Sequence, residues 1–352
     1  MLTLLLTSAA AKIPMLKAIK QAAVRLDDKA QVIAGDSDNE AISQYFADDF
    51  WCMPAVCAAN IQLIVEGLKS RNITHVIPSR DAELQFWATN RELLKQHHIE
   101  LVCASSAALD LCLDKLKFAQ LNGPTIAASE AIDLLDAHQS LDTHQSLDTH
   151  QSLDTHQSLD THQSLDTHQS LDTHQSLDTL RYVVKERYGA GSRSMLLNVK
   201  KAEATRHAQK LTHPIYQLFI AGSEISIDAW LDKHHKLKGH IYRYRLIVRH
   251  GESQVTQTVS LPKFDPVVAS FLEGLKLSGP VVLQAIIDAH DVLHIIECNA
   301  RFGGASTLGI KAGVDSFYWS LAESLGHDIQ LLPFAPLPTP ITQIRHSQDS
   351  YL

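Results

Sequence analysis

The sequence has no run of about 18 apolar residues, the minimum for a helix that crosses a membrane. Its five cysteines are Cys52, Cys57, Cys103, Cys112 and Cys298, an odd number with no CxxC pair. That argues against a disulfide framework and leaves a reduced, cytoplasmic protein as the simple reading. An excess of one charge is also missing. There are 31 Lys and Arg against 39 Asp and Glu, but seven of the acids sit in seven successive copies of HQSLDT from His138 to Thr179. Those copies hold no base, so the rest of the chain sets 32 acids against 31 bases. Nothing in that balance calls for nucleic acid or a membrane surface as partner. Two phosphate-binding fingerprints are absent as well. The segment after the first apolar run is TSAAAKIP, not GxGxxG, which disfavours a dinucleotide-binding Rossmann enzyme, and no GxxxxGK[ST] occurs. The opening MLTLLLTSAAAK lacks the positive n-region of a signal peptide, and its apolar run is short for one. LTLLLTSA is expected as a first buried strand.

What is present alternates. Up to about residue 112, strand-like and helix-like stretches follow one another: LTLLLTS, MLKAIKQAAVRL, AQVIAGDS, NIQLIVEGLKSRN, ITHVIPS, AELQFWATNRELLKQHH and ELVCASS. Such alternation predicts an α/β domain with a parallel sheet and helices on both faces. Ligands on these sheets gather at the carboxyl ends of the strands. That singles out SRDAE, with Ser79, Arg80, Asp81 and Glu83. It reads equally as a substrate-facing cluster or as a solvated loop in which Ser79 or Asp81 caps a helix. After LDKLKFAQLNG, Ser129 is placed to cap a further helix. The HQSLDT repeat then intervenes. Its period of six gives no continuous apolar stripe on a helix, so a polar surface insert is expected. His138 and Asp142 stand at a helical metal-binding spacing, a weaker reading of the same residues. Beyond it the pattern becomes β-rich, with hairpins expected around GHIYRYRLIVRHGE and GPVVLQAIIDAHDVLHIIECNARF, and a proline-rich tail over the surface.

Three stretches carry chemistry. In VVKERYGAGSRS a lysine ends an apolar strand and a glycine loop follows, so backbone N–H groups and one point charge can face phosphates. In YQLFIAGSEISID a strand passes through a glycine to Glu224. In HIIECNARFGG, Glu297, Asn299 and Arg301 alternate with Cys298 and Ala300. The strand period of two therefore puts the three polar residues on one face and Cys298 on the packed one. Antiparallel pairing can bring Gln284 opposite them. A carboxylate and two amides are hard oxygen donors that suit Mg²⁺, and an adjacent guanidinium can hold a transferring phosphoryl group.

Lysine, glycine loop, hinge, Glu, then Gln followed by Glu-x-Asn-x-Arg: in this order the motifs resemble the ATP-grasp superfamily, in particular stand-alone members like the carbamoyl-phosphate-synthase large subunit. The resemblance implies a pre-ATP-grasp domain over 1–112 and a lid subdomain over 113–235, interrupted by the repeat at 138–179. A C-terminal subdomain with the metal site would follow over 236–331, and a tail over 332–352. It implies that Lys115 and Lys185 bind ATP phosphates under a lid of Gly189, Ala190, Gly191 and Ser192. Gln217, Leu218, Phe219 and Ile220 would frame adenine, and Glu224 the ribose. Gln284, Glu297 and Asn299 would hold Mg²⁺, with Mn²⁺ as the alternative. Arg301 would stabilise the γ-phosphoryl group, and one of Arg243, Arg245 and Arg249, Arg245 by preference, would meet the acyl phosphate or substrate carboxylate. Two positions depart from the family: Leu218 replaces an acidic residue, and Glu186 replaces the proline after the lysine. The implied activity is a carboxylate–amine ligase using ATP and releasing ADP and phosphate, with small-molecule substrates and a homodimer as the superfamily's common habit. Formation of carbamoyl phosphate or carboxyphosphate, or non-catalytic ATP binding with the repeat as an interaction arm, are the alternatives.

Overall fold

A computed structural model of the chain describes residues 1–133, 180–189 and 194–351. The HQSLDT repeat and the loop residues Ala190, Gly191 and Ser192 lie outside them. The chain forms two compact units: Met1–Ile126 with Arg187–Arg193 and Ile220–Leu352, and Ala127–Glu186 with Ser194–Phe219.

The first unit opens with five parallel strands, β1 (Thr3–Leu6), β2 (Gln31–Asp36), β3 (Asp49–Cys52), β4 (His75–Ile77) and β5 (Glu100–Leu101), in the order β3-β2-β1-β4-β5. The helices are α1 (Ile13–Val24), α2 (Ile61–Ser70), α3 (Asp81–Thr89), α4 (Arg91–Gln96), α5 (Ser106–Leu113) and α6 (Lys115–Ala119). The run Thr3-Leu-Leu-Leu6 is buried throughout because both faces of a parallel sheet are covered. Leu5 joins Ile33, Val76 and Trp87 in one core, while Leu4 and Leu6 join Leu16 and Ile19 of α1 in another. Two features differ from the sequence expectation. Asp-Phe-Trp-Cys forms β3, an edge strand too short and polar to stand out as a period. The single helix expected over 82–98 is broken at Asn90, whose side-chain amide donates to Phe86 O at 2.8 Å.

The second unit holds β6 (Ala128–Ser129), β7 (Tyr182–Glu186), β8 (Leu196–Val199), α7 (Lys201–Ala208) and β9 (Pro214–Leu218), with strand order β6-β9-β7-β8. Tyr182, Val184 and Tyr216 pack on Val199, Ala204 and Ala208. The strand, glycine turn and strand expected around Gly189 is the antiparallel pair β7 and β8.

The first unit continues with β10 (Gly222–Leu231), β11 (Leu237–Arg249), β12 (Glu252–Val259), α8 (Asp265–Gly274), β13 (Gly279–Asp288), β14 (Leu293–Asn299), α9 (Ser306–Lys311), α10 (Ser316–Ser324) and β15 (Thr342–Ile344). The sheet order is β14-β13-β10-β11-β12-β15, antiparallel throughout. The proline-rich tail thus supplies an edge strand. β9 and β10, expected as neighbours through Gly222, belong to different sheets. A Cβ at Gly222 would lie 2.2 Å from Ile287 O, so only glycine permits this start to β10. One sheet face, with Ile225, Ile227, Leu283 and Ala285, packs on Val268, Phe271 and Leu272 of α8. The opposite face has two zones. Trp230 and Ile241 lie under Val314 and Trp319; the other zone is polar. Among the described residues no helix is long and apolar enough to cross a membrane.

Candidate active site

Register and the period of two determine which residues share the polar zone. Glu224, Ser226 and Asp228 alternate along β10. Gln284 stands opposite Ser226 on one side and opposite Glu297 on the other. Arg243 stands opposite Ser226 on β11, and Thr258 opposite Arg243 on β12. One cross-strand row therefore reads Glu297, Gln284, Ser226, Arg243, Thr258. Asn299 and Arg245 occupy the same face one pleat away. Cys298, opposite Leu283, lies on the apolar side and is buried, as its alternation with Glu297 and Asn299 predicts.

The cations on this face are held by carboxylates. Arg243 is 3% exposed and reaches Asp228 through Nε at 2.7 Å and Nη2 at 3.4 Å. The Ser306 hydroxyl donates to Asp228 Oδ1 at 2.7 Å and accepts from Gly303 N–H at 3.0 Å. A Cβ on Gly303 would sit 2.9 Å from Ser306 Oγ, which accounts for a glycine after Asn-Ala-Arg-Phe. Arg245 Nε makes a close ion pair with Glu224 Oε1 at 2.9 Å, and its Nη2 donates to Gly251 O at 2.9 Å. Burial raises the Glu224 pKa and the Glu297 charge adds to this, against the pull of Arg245. Burial lowers that of Arg245, Glu224 and Glu297 opposing and Arg243 assisting. The four charges form one electrostatic group. Arg249 is exposed near the hairpin turn, beyond register shifts that follow Arg245.

The donor set fits a hard divalent cation. Asn299 Nδ2 donates to Glu297 Oε1 at 3.2 Å, which leaves Asn299 Oδ1 as an acceptor. Among the described residues no group of three or more His, Cys, Asp and Glu stands ready for a metal. A cation here would rest on one carboxylate and amide oxygens, as Glu297, Gln284 and Asn299 provide, and Mg²⁺ accepts such partial protein ligation. Ser226 Oγ, in the same row, is buried with no hydrogen-bond partner among the described residues, an oxygen that a bound polar group would satisfy.

Arg301 leaves this face for the parallel-sheet domain. Its Nε and Nη2 donate to Asp81 Oδ1 and Oδ2 at 2.6 and 2.5 Å, Nη1 donates to Phe302 O at 3.1 Å, and Nη2 lies 3.5 Å from Asn299 Oδ1. Asp81 opens α3, so SRDAE is neither simply solvated nor simply a cap. Beside it, Lys12 Nζ donates to Ser79 O at 2.5 Å and Ser79 Oγ at 2.8 Å. Burial, then repulsion from Arg301, brings the Lys12 pKa down to about 8. Buried Glu83 accepts from Thr7 Oγ1 at 2.7 Å, Ser79 N–H at 3.1 Å and Trp87 Nε1 at 3.3 Å. Sequence reasoning missed Lys12 and Asp228. Position carried the signal for Lys12, on the loop after the first strand where parallel sheets bind ligands. For Asp228 it was the E-x-S-x-D alternation.

The remaining expected nucleotide residues lie as follows. Lys115 Nζ donates to Gly189 O at 2.5 Å, at the start of the glycine loop. The preceding Asp114 caps α6 and takes a bidentate pair from Arg187, both contacts at 2.7 Å. In the second unit, buried Lys185 and Gln217 share the face of the sheet opposite Tyr182 and Tyr216. Leu218 packs against the core of that unit, and Phe219 N–H donates to Arg181 O at 2.8 Å. Glu186 accepts from the backbone N–H groups of Thr212 and His213 at 2.7 and 2.9 Å, which ties its carboxylate to the chain leading into β9. Ile220 begins the return to the first unit. The lid residues Ala190, Gly191 and Ser192 fall outside the described residues.

A lysine strand with a glycine loop, and an antiparallel sheet carrying Glu-x-Asn-x-Arg beside a parallel-sheet domain, define the ATP-grasp class. The family model for a PylC-like N-terminal domain matches residues 4–102, and that for the ATP-grasp in the biosynthetic pathway with Ter operon matches 212–346. The chain thus carries a PylC-like N-terminal domain and an ATP-grasp domain. Its fold is similar to that of the biotin carboxylase domain dimer of Hydrogenobacter thermophilus 2-oxoglutarate carboxylase, solved with MgADP, ADP and bicarbonate (TM-score 0.63, 18% identity, 92% of this chain and 70% of that one). It is also similar to Staphylococcus aureus N5-carboxyaminoimidazole synthetase with ADP (0.66, 12%, 97% and 81%) and to Bacillus licheniformis L-amino acid ligase (0.61, 16%, 93% and 74%). At these identities the likeness is one of fold. No curated protein matches the chain in sequence.

Proposed function

We propose that the chain is an ATP- and Mg²⁺-dependent carboxylate–amine ligase that works through an acyl phosphate and releases ADP and phosphate. The observation that carries this reading is the polar row on an otherwise packed sheet, in which Glu297 and Gln284 face each other in register and Asn299 hydrogen-bonds Glu297. Bound Mg²⁺ would neutralise charge on the transferring phosphoryl group. Glu297, Gln284 and Asn299 hold it in this reading, and Lys115 and Lys185 bind ATP phosphates. Arg301 stabilises the phosphoryl group as it moves, since a preorganised guanidinium needs no reorganisation as charge develops. Arg245, held between Glu224 and the Gly251 carbonyl, is the second cation and meets the acyl phosphate or substrate carboxylate. Gln217 to Ile220 frame the base, and Glu224 exchanges Arg245 for a ribose hydroxyl.

The test is ADP formation from MgATP by the purified protein against pooled amino acids, amines and small carboxylates. The expected result is stimulation by one pool, reduced at least about 100-fold in Glu297→Ala with the fold retained. Turnover by Glu297→Ala equal to wild type would overturn the assignment.

A further inference from the structure

The polar row does not account for Asp81. This residue belongs to the parallel-sheet domain, lies 220 positions from Arg301 in sequence, and takes both of its carboxylate oxygens to one guanidinium. Both partners are largely withdrawn from solvent, at 19% for Arg301 and 14% for Asp81. The fork-to-fork geometry fixes the guanidinium plane as well as its position. Count the donors of Arg301: Nε and one Nη2 proton go to Asp81, one Nη1 proton goes to Phe302 O, and the second Nη2 proton lies toward Asn299. One Nη1 proton is left over. The backbone beside it is equally fixed. Phe302 is 1% exposed and stacks on Phe317 with ring centroids 3.6 Å apart, inside the core shared by α1 and β1. Arg301 therefore has one orientation, set from one side by Phe302 and from the other by Asp81.

We propose that Asp81 is a positioning residue for the phosphoryl step: it aims Arg301, and through it the PylC-like domain takes part in phosphoryl transfer. The proposal rests on the ligase reading above, in which Arg301 meets the γ-phosphoryl group. It does not require Asp81 to touch substrate. Displacing a charged group by an ångström costs about 100-fold in rate, so loosening Arg301 is expected to appear in kcat. ATP binding, which uses other residues, stays nearly unchanged. A competing role exists for Asp81. It is the first residue of α3, where a negative charge favours the helix. The two roles part company in Asp81→Glu, which keeps the charge at the helix start but moves the carboxylate by one methylene.

The experiment measures ADP release from MgATP, with pooled amino acids, amines and small carboxylates present, for the full chain and for Asp81→Asn, Asp81→Glu, Arg301→Lys and Asp81→Asn/Arg301→Lys. Thermal melting of each variant controls for folding. The expected result is a fall in kcat of about 10- to 100-fold in both Asp81 variants, with the ATP KM within about twofold because the interaction lost is made in the transition state. The double variant is no slower than Arg301→Lys alone, because Asp81 acts only through Arg301. Wild-type kcat in Asp81→Glu, or losses that multiply in the double variant, would overturn the proposal while the ligase reading stood. A wild-type protein that neither binds nor turns over MgATP would overturn the ligase reading and take the role of Asp81 with it.

Discussion

His75 offers a stability prediction whose size follows from its surroundings. It lies in β4, 3% exposed, with Nδ1 2.9 Å from Thr74 Oγ1 and Nε2 2.8 Å from Ser324 Oγ. Both hydroxyls also lie within hydrogen-bond distance of backbone carbonyls, Thr74 Oγ1 at 3.1 Å from Thr3 O and Ser324 Oγ at 2.7 Å from Leu321 O. Burial takes the pKa of His75 from 6.5 to about 4. This is a base made harder to protonate in the folded state. Below pH 6.5 the unfolded chain therefore binds more protons than the folded one, and stability falls as pH drops from 6.5 toward 4. The full difference is worth about 3 kcal/mol at roughly 1.4 kcal/mol per pKa unit, and about 2 kcal/mol of it is lost between pH 7.5 and pH 5. Urea unfolding of wild type and His75→Gln at both pH values isolates the effect, because the carboxylates titrate alike in both proteins. Glutamine offers a donor and an acceptor to the same two hydroxyls without titrating. The variant is expected to be the less stable at pH 7.5 and to gain about 2 kcal/mol on wild type by pH 5. Parallel pH profiles for the two proteins would refute the reasoning, since they would mean that His75 takes up a proton as easily folded as unfolded.

Two further outcomes test the site from other directions. Asp228→Ala leaves buried Arg243 without its partner and strips Ser306 of its acceptor, so a loss of about 3–5 kcal/mol in unfolding free energy is expected, measured by denaturant titration; a loss under about 1 kcal/mol would place Arg243 in water. Deleting the repeat, residues 138–179, is expected to leave ADP formation intact in a ligase; if turnover stays but a bound partner is lost in pull-down, the repeat is an interaction arm as well.

The strands that carry the site were legible because their period is short and their ends are marked. Glu297 and Asn299 announce one face by alternation alone and Gly303 marks the turn that follows, but the strand ends at Asn299 and Arg301, expected on the same face, turns instead to Asp81. The register that set Gln284 against Glu297 was also within reach, since an antiparallel hairpin joins the two strands. What could not be read was contact between distant segments. Nothing local to Asp81 tells it from a helix-capping acid, and Lys12 is marked only by its place on the loop after the first strand. β3 escaped because Asp-Phe-Trp-Cys is an edge strand held by one neighbour, and edge strands need no apolar alternation. Arg249 falls with Arg243 and Arg245 on the one strand that the family resemblance brings to the cavity. The bulges after Arg245 interrupt the register between them, which only the paired strand reveals.

The charges around Arg301 explain why a polar cluster can persist half-buried before any ligand arrives. Lys12 and Arg301 bring two positive charges, Asp81 and Glu83 two negative ones, and the residues interact strongly enough that each of the other three shifts the Lys12 pKa. A lone guanidinium at this depth would lose several kcal/mol of hydration with nothing to offset it. Asp81 removes that penalty, but it also sets a condition on chemistry. A phosphoryl group arriving at Arg301 would add negative charge beside two carboxylates, and Lys12 is the neighbouring cation that helps to balance it. Lys12 with a pKa near 8 is charged at neutral pH and loses its proton just above it. Phosphoryl transfer at this site is therefore expected to weaken as pH rises through about 8, with kcat falling while the fold holds, and Lys12→Arg, which cannot lose its charge in that range, is expected to remove the fall. A pH–rate profile unchanged by that substitution would show that the balancing charge comes from elsewhere.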